Sequence, residues 1–460
     1  MEDKNMNNLI EESFEYPEDL AHVERRLEMR ILKEKRKKRA FVSFISSVAA
    51  AVMFIVLVNT STAFAGIVAE LPLIGTIAEY VKFDKSLKSA IENDYIQQTG
   101  LIAYDGSEKL LLPYVIADEK NLVLFFKLPD DFELSEGQWA GISLTSIEDG
   151  SSGEKVEGFG YSSSNISWQE SKSKGLILQH YNFSEGFLPQ SIKINVALIR
   201  ETYQDQSDEK TNNVDEFSAL EDEKYPLAEE VGNFSFNIEF NEFAKPIDYE
   251  FNQEHTIMGQ KITLKEMKVY PTGTEVSFEF SKDNSAWIKG LDLAVEKEGN
   301  EMYSGRSGIS STYDETNNHM KVYIQSDYFA EPKEQKLVIK GIRLLEKDKE
   351  FITVDLKRGT ISPEVEGMQL SKVSRRGQKA DLTFSTHISN DEMFGLFVSK
   401  YTDIEGNPYE IKSEGSSSRD SVMETYLTVE YPESGVVILQ RSLTPKVFLK
   451  EPIKIPLPLK

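Results

Sequence analysis

Five histidines, His22, His180, His255, His319 and His387, are the residues best suited to ligate a metal or move a proton near neutral pH. They stand singly along the chain, and none shares a metal-ligand spacing with another. There is no cysteine, which removes thiolate chemistry and every Cys-containing zinc site. Asp381 and Glu405 would make a carboxylate pair only if the fold brought them together. The runs Ser307 to Thr312 (SGISST) and Gly415 to Ser418 (GSSS) offer hydroxyls without a nearby His and acid pair, and they read as turns. Asp205 to Glu209 lacks the alternating ligands and central Gly of a calcium loop. With no GxSxG, HExxH or Walker A loop, the sequence predicts no catalytic residue, no cofactor and no metal. It favours a binding or signalling protein over an enzyme.

The elements that would position any site are organised around Ala40 to Ala69, thirty residues without a charge. Phe41 to Val58, its most apolar part, reaches the roughly 18 to 20 residues that a helix needs to cross a ~30 Å hydrocarbon layer. This predicts one membrane span over 40–62. Lys35, Arg36, Lys37, Lys38 and Arg39 stand immediately before it, and the first charge after it is Glu70. That excess of Lys and Arg sets the topology, with the N terminus cytoplasmic and the C-terminal domains extracellular. Ala63-Phe64-Ala65 has the small-x-small form of a signal-peptide cleavage site, so cleavage after Ala65 is the competing reading. The long patterned segment before the apolar run favours a retained anchor.

Residues 1–39 hold ten Lys or Arg and ten Asp or Glu, so the whole net charge of −24 falls on residues 40–460. Such an acidic exterior argues against direct nucleic-acid binding and against a broad basic face for anionic polymers. From Pro17 onward, Leu20, Val23, Leu27 and Ile31 recur at helical spacing and predict an amphipathic helix. A lone helix of that length has no core on which to bury its stripe, which makes these four the candidate partner-binding residues. The plain alternative is a basic stem at the membrane surface.

Over 63–100, Leu71-Pro72-Leu73-Ile74-Gly75 breaks the helix. Asp84 then caps a second amphipathic segment with Leu87, Ile91 and Tyr95 on one face, ending near Gly100. Everything beyond reads as short alternating strands punctuated by Gly, Pro, Asn and Asp. The pattern repeats. Leu110 to Leu128, Ile262 to Phe280 and Met368 to Phe384 each give a strand, a polar turn and a strand. Leu176 to Ile199, Met320 to Leu345 and Glu424 to Leu439 each close a unit, and a last alternating run follows in Phe234 to Phe240, Phe351 to Leu356 and Ile453 to Leu457. The fold class is therefore mainly β: a short cytoplasmic helix, one transmembrane helix, then three tandem antiparallel β-sandwiches of the immunoglobulin-like kind outside. The expected units are 101–248, with an acidic insertion over 201–230, then 249–358 and 359–460.

Three stretches carry a resemblance: Pro72-Leu73-Ile74-Gly75, Lys85-Ser86-Leu87 with Ala90-Ile91-Glu92-Asn93-Asp94-Tyr95, and Val115-Ile116-Ala117-Asp118-Glu119. Through them the chain resembles a domain-of-unknown-function family of Gram-positive, spore-former-type bacteria. Members look like single-pass proteins encoded beside extracytoplasmic-function sigma factors and are described as negative effectors of those factors. Gly259-Gln260-Lys261-Ile262-Thr263 and Val269-Tyr270-Pro271-Thr272 are similar to a second uncharacterised immunoglobulin-like domain that commonly follows the first. The resemblance implies an anti-sigma factor of the cell membrane, with a sigma factor as cytoplasmic partner. Where anti-sigma factors use a larger helical domain, only 39 residues are inside here, so the tail would hold its partner through about one helix that orders on binding. It also implies an unidentified extracellular ligand or protein. The alternative is a membrane-anchored structural or adhesive protein whose tandem sandwiches do the binding.

Overall fold

The computed structural model describes Ile77, Val81 and residues 83–458, apart from 130, 172–175, 203–226, 298–299, 304, 306–309, 315–317, 331–333 and 390–391. The predicted tail helix (Leu20, Val23, Leu27, Ile31), the basic cluster Lys35 to Arg39 and the predicted span all lie outside the described residues. No helix among the described residues is long and apolar enough to cross a membrane.

The described chain is mainly antiparallel sheet with few helices. Helix α1 (Lys85–Glu92) begins as expected, with the Asp84 carboxylate accepting the backbone N–H of Ser86 at 2.9 Å and of Leu87 at 3.1 Å. It ends earlier than Gly100, because Asn93 caps it and Asp94 turns to φ +58°, a left-handed conformation that stops the helix. Tyr95 therefore leaves the helix, and Gly100 falls inside the first strand.

That strand opens a first sandwich of β1 (Gln97–Asp105), β2 (Glu108–Ala117), β3 (Asn121–Lys127), β4 (Gln138–Asp149), β5 (Gly160–Ser163), β6 (Ile166–Ser167), β7 (Leu176–Asn182), β8 (Ser191–Thr202) and β9 (Leu227–Glu239). Its sheets, ordered β1-β2-β3-β7-β5 and β6-β4-β8-β9, enclose one core in which Phe126 of β3 meets Phe236 of β9 at 5.7 Å. The acidic insertion is shorter than 201–230, since Glu201 and Thr202 complete β8 and Leu227 to Glu230 begin β9.

The second sandwich takes β10 (Ile247–Ile257), β11 (Gln260–Val269), β12 (Thr274–Phe280), β13 (Ala286–Lys297), β14 (Asn300–Tyr303), β15 (Ser311–Asp314), β16 (His319–Ile324) and β17 (Gln335–Glu346). A third is built from β18 (Phe351–Asp355), β19 (Thr360–Ser362), β20 (Met368–Arg376), β21 (Lys379–His387), β22 (Phe397–Asp403), β23 (Pro408–Glu410), β24 (Ser413–Arg419), β25 (Val422–Glu430) and β26 (Val436–Arg441). Gly415 to Ser418 lie within β24 rather than in a turn. Their Ser and Gly content favours a turn, but pairing along β25 overrides it.

The two later units do not each close on their own last run. In the first sandwich β8 lies between β4 and the strand that follows it, β9. In the second, β17 lies between β13 and β27 (Val447–Pro456), the last strand of the chain, while β18, which follows β17, pairs with β26 of the third sandwich. The second and third sandwiches thus exchange their closing strands, and the expected boundary at 358/359 is crossed in both directions. β18 and the residue after it place Ile352, Val354 and Leu356 in the third core; β27 and the residue after it place Ile455 and Leu457 in the second. The exchange needs close backbone approach, for a Cβ on Gly341 of β17 would stand 2.9 Å from the Val447 carbonyl oxygen. Pro452 and Pro456 are tolerated because β27 is an edge strand.

Candidate functional site

α1 lays Leu87, Ala90 and Ile91 on the outer face of the first sheet, against Tyr114, Ile116, Val123, Phe125 and Leu176. This explains why β2 (EKLLLPYVIA) and β3 (NLVLFFK) read as nearly unbroken apolar runs, since both of their faces are covered. The polar turn between these strands is where the first and second sandwiches meet.

Asp118 in that turn is fully buried. One carboxylate oxygen accepts the backbone N–H of Lys120 at 2.9 Å and of Asn121 at 2.9 Å, with the Asn121 amide at 3.3 Å. The other crosses to the second sandwich and accepts from Thr272 twice, from its N–H at 3.0 Å and its hydroxyl at 2.7 Å. Burial pushes the Asp118 carboxyl above the ordinary carboxylate range, and the donors from Thr272, Lys120 and Asn121 pull against it. Beside it, Lys120 donates to the carbonyls of Phe183 and Gly186 at 3.3 and 2.5 Å and lies 4.2 Å from the centre of the Phe187 ring. Burial lowers its pKa, opposed chiefly by the charge of Glu275.

α1 joins the same contact. Ser86 accepts the backbone N–H of Ser326 at 2.7 Å, and the Ser326 hydroxyl donates to the Tyr270 carbonyl. Tyr95 donates to the Ala117 carbonyl at 2.9 Å and packs against Phe329 with ring centres 5.7 Å apart; burial raises its pKa. The residues that carried the resemblance, Ser86, Tyr95, Asp118, Tyr270 and Thr272, thus meet at one joint tying the helix to both sandwiches. Chemically it is a clamp. Both carboxylate oxygens of Asp118 are met by donors, one from its own turn and the other from Thr272 of the second sandwich.

The residues considered for chemistry are not brought together. Asp381 is held by Arg376, with Nη2 2.9 Å from the carboxylate, and by the Thr428 hydroxyl at 2.8 Å, while Glu405 lies in the turn after β22 beside Asp403. Among the described residues no three His, Asp or Glu side chains are grouped so as to hold a metal. His22, Asp205 to Glu209 and Ser307 to Ile309 lie outside the described residues, and Ser311 and Thr312, expected in a turn, instead open β15, where pairing with β16 holds them extended. The third sandwich has an open cleft of about 1120 Å³ lined by Arg375, Lys400, Lys412, Tyr409 and Tyr431 among others. Much of its charge is already engaged, as Arg375 lies 3.9 Å from the Tyr431 ring centre and Lys412 lies 3.5 Å from Glu430.

Residues 35–130 match a domain of unknown function (DUF4179), and residues 247–366 match a family of unknown function (DUF5643). Ser86, Tyr95 and Asp118 fall in the first stretch and Tyr270, Thr272 and Ser326 in the second, so the joint is where the two matched stretches touch. No curated protein matches the chain. Among solved structures it is similar to the crystal structure of the conserved domain protein from Bacillus anthracis, at 10% identity and TM-score 0.36, covering 55% of this chain and 79% of that one. It is also similar to a marsupial T cell receptor, at 9% identity and TM-score 0.13, covering 74% and 95%.

Proposed function

We propose that the chain is a single-pass membrane regulator of the anti-sigma kind. Its cytoplasmic tail holds an extracytoplasmic-function sigma factor, and its immunoglobulin-like sandwiches read the envelope outside. Leu20, Val23, Leu27 and Ile31 bury their stripe in a groove of the sigma factor, and the flanking charges set orientation more than affinity. The observation that supports this reading is the joint. A short helix that follows the predicted span in sequence is fastened to the second sandwich through Ser86 and to the first through Tyr95 just beyond its end, while Asp118 ties the two sandwiches together, so a displacement of either sandwich reaches this helix.

The test is recovery of the intact protein from detergent-solubilised cells, alongside a variant with Leu20, Val23, Leu27 and Ile31 all changed to Asp. A sigma factor retained by the first and lost from the second supports the reading; its absence from both contradicts it. The strand exchange favours a second reading, a load-resisting adhesive stalk, because exchanged strands tie neighbouring sandwiches into one unit. Replacing the tail with an unrelated basic sequence abolishes function under the first reading and leaves it intact under the second.

A further inference from the structure

The outer face of the five-stranded sheet in the second sandwich carries a feature that the joint does not use. β12 runs through the middle of the sheet order β10-β11-β12-β16-β15. Register places Glu266 of β11 beside Ser277 with Glu250 of β10 beyond it, and places His319 of β16 beside Glu279 with Asp314 of β15 beyond it. These six residues line an open cleft of about 660 Å³. Lysines answer only part of its charge: Lys268 reaches Glu266 at 3.3 Å and Lys265 reaches Glu279 at 3.4 Å, both in partly exposed pairs that water screens. Glu250, Glu266 and Glu279 outnumber these two lysines, and Lys321, which the register sets beside Ser277, is taken up by Glu275 at 2.9 Å, so the face stays negative.

Ser277 supplies an independent observation. It lines the cleft yet is only 1% exposed, and its hydroxyl oxygen has no hydrogen-bond partner among the described residues. A buried hydroxyl left this way costs free energy that an arriving group would recover, and a hydroxyl can donate to a carbonyl or accept from an ammonium.

We propose that this cleft binds a cationic peptide in extended conformation, with Lys or Arg side chains against Glu250, Glu266, Glu279 and Asp314 and a polar group on Ser277. The spacing suits that occupant. Residues two apart on a strand, such as Ser277 and Glu279, are separated by about 7 Å, the same repeat as alternate side chains of an extended peptide. The carboxylates are dispersed rather than gathered as metal ligands, which fits several separate cations better than one ion. The net charge of −24 steers such a peptide inward. The cleft is a property of the exterior alone, so the proposal stands whether or not the tail holds a sigma factor.

The test is calorimetric titration of the full chain in nonionic detergent with hexalysine, and with hexaglutamate as the opposite-charge control, at physiological salt. Two charge-matched variants separate the cleft from diffuse attraction: Glu250→Gln with Glu266→Gln and Glu279→Gln in the cleft, and Glu405→Gln with Glu410→Gln and Glu433→Gln on the third sandwich. Saturable hexalysine binding that weakens at least tenfold in the first variant and less than twofold in the second supports the site. Equal weakening in both, or no saturable binding, overturns it. Should the cleft variant fail to fold, Ser277→Ala decides: a threefold or greater loss supports the site and an unchanged affinity overturns it.

Discussion

The first sandwich and the two that follow are built from the same succession of strands and close differently. β9 returns to its own neighbour β8, in register from Ser191 with Glu239 to Thr202 with Leu227, so the first core is complete in itself. β18 and β27 each leave the sandwich whose strands precede them and complete the other. The turn between β17 and β18 is held from both sides: Glu350 accepts from the Trp287 indole of the second sandwich at 2.8 Å and from the Gln440 amide of the third at 2.9 Å. Lys446, just before β27, lies 3.2 Å from Asp292, and Arg343 pairs with Glu392. One sandwich can therefore open alone, whereas the other two should open together.

The largest test of this contrast is Val354→Asp, which buries an unpaired charge in the third core. We expect a loss above about 4 kcal/mol. Hydrogen exchange should lose protection over both 247–346 and 351–456 while 97–239 stays protected; loss confined to the third sandwich would break the comparison. Ile455→Ala in β27 should cost about 3 kcal/mol, in line with buried Ile truncations. It should loosen the second sandwich, whose core holds this side chain, although the residue lies more than a hundred positions from β17.

Asp118→Ala sharpens the comparison at the joint. It leaves the buried donors of Thr272, Lys120 and Asn121 unmet and should cost about 2 to 3 kcal/mol. A distance probe between the first two sandwiches should broaden while the third keeps its protection. Because burial raises the Asp118 carboxyl, the folded state holds that proton more tightly than the unfolded chain. Its contribution is fully present below the ordinary carboxylate pKa and is lost as pH rises through the folded value. The stability of the native chain relative to Asp118→Asn should therefore fall as pH rises from about 4 toward neutrality, measured by denaturant melts of both. The smallest effect is expected from Glu92→Gln, which removes the exposed partner of Lys88 at 3.7 Å and should change stability by less than about 0.5 kcal/mol.

Much of the strand content was legible in the chain. The three strand-turn-strand runs became β2–β3, β11–β12 and β20–β21, and the Asp84 cap fell where helix chemistry required it. The exchange was not legible, because Phe234 to Phe240, Phe351 to Leu356 and Ile453 to Leu457 alternate in the same way and alternation does not name a partner. Of the joint, the turn at Asp118 to Lys120 could be seen, but a polar turn between apolar runs looks solvated until a second sandwich covers it. The unbroken apolar character of β2 and β3 was the available sign that both faces near that turn were covered. The row of carboxylates on β10, β11 and β12 follows from register, which depends on bulges such as those between Glu250 and Gln253 and between Leu264 and Glu266.

The most direct test of the exchange uses the absence of cysteine in the chain. Cysteines introduced as Val338→Cys with Lys454→Cys join register partners on β17 and β27, and Thr353→Cys with Ile438→Cys join partners on β18 and β26. Under mild oxidation each pair should form a disulfide within a single chain, seen as a mass loss of about two hydrogens and faster migration without reductant. Failure of both pairs to bridge within a chain, with Lys454→Cys instead bridging to a cysteine on β26, would contradict the exchanged closure.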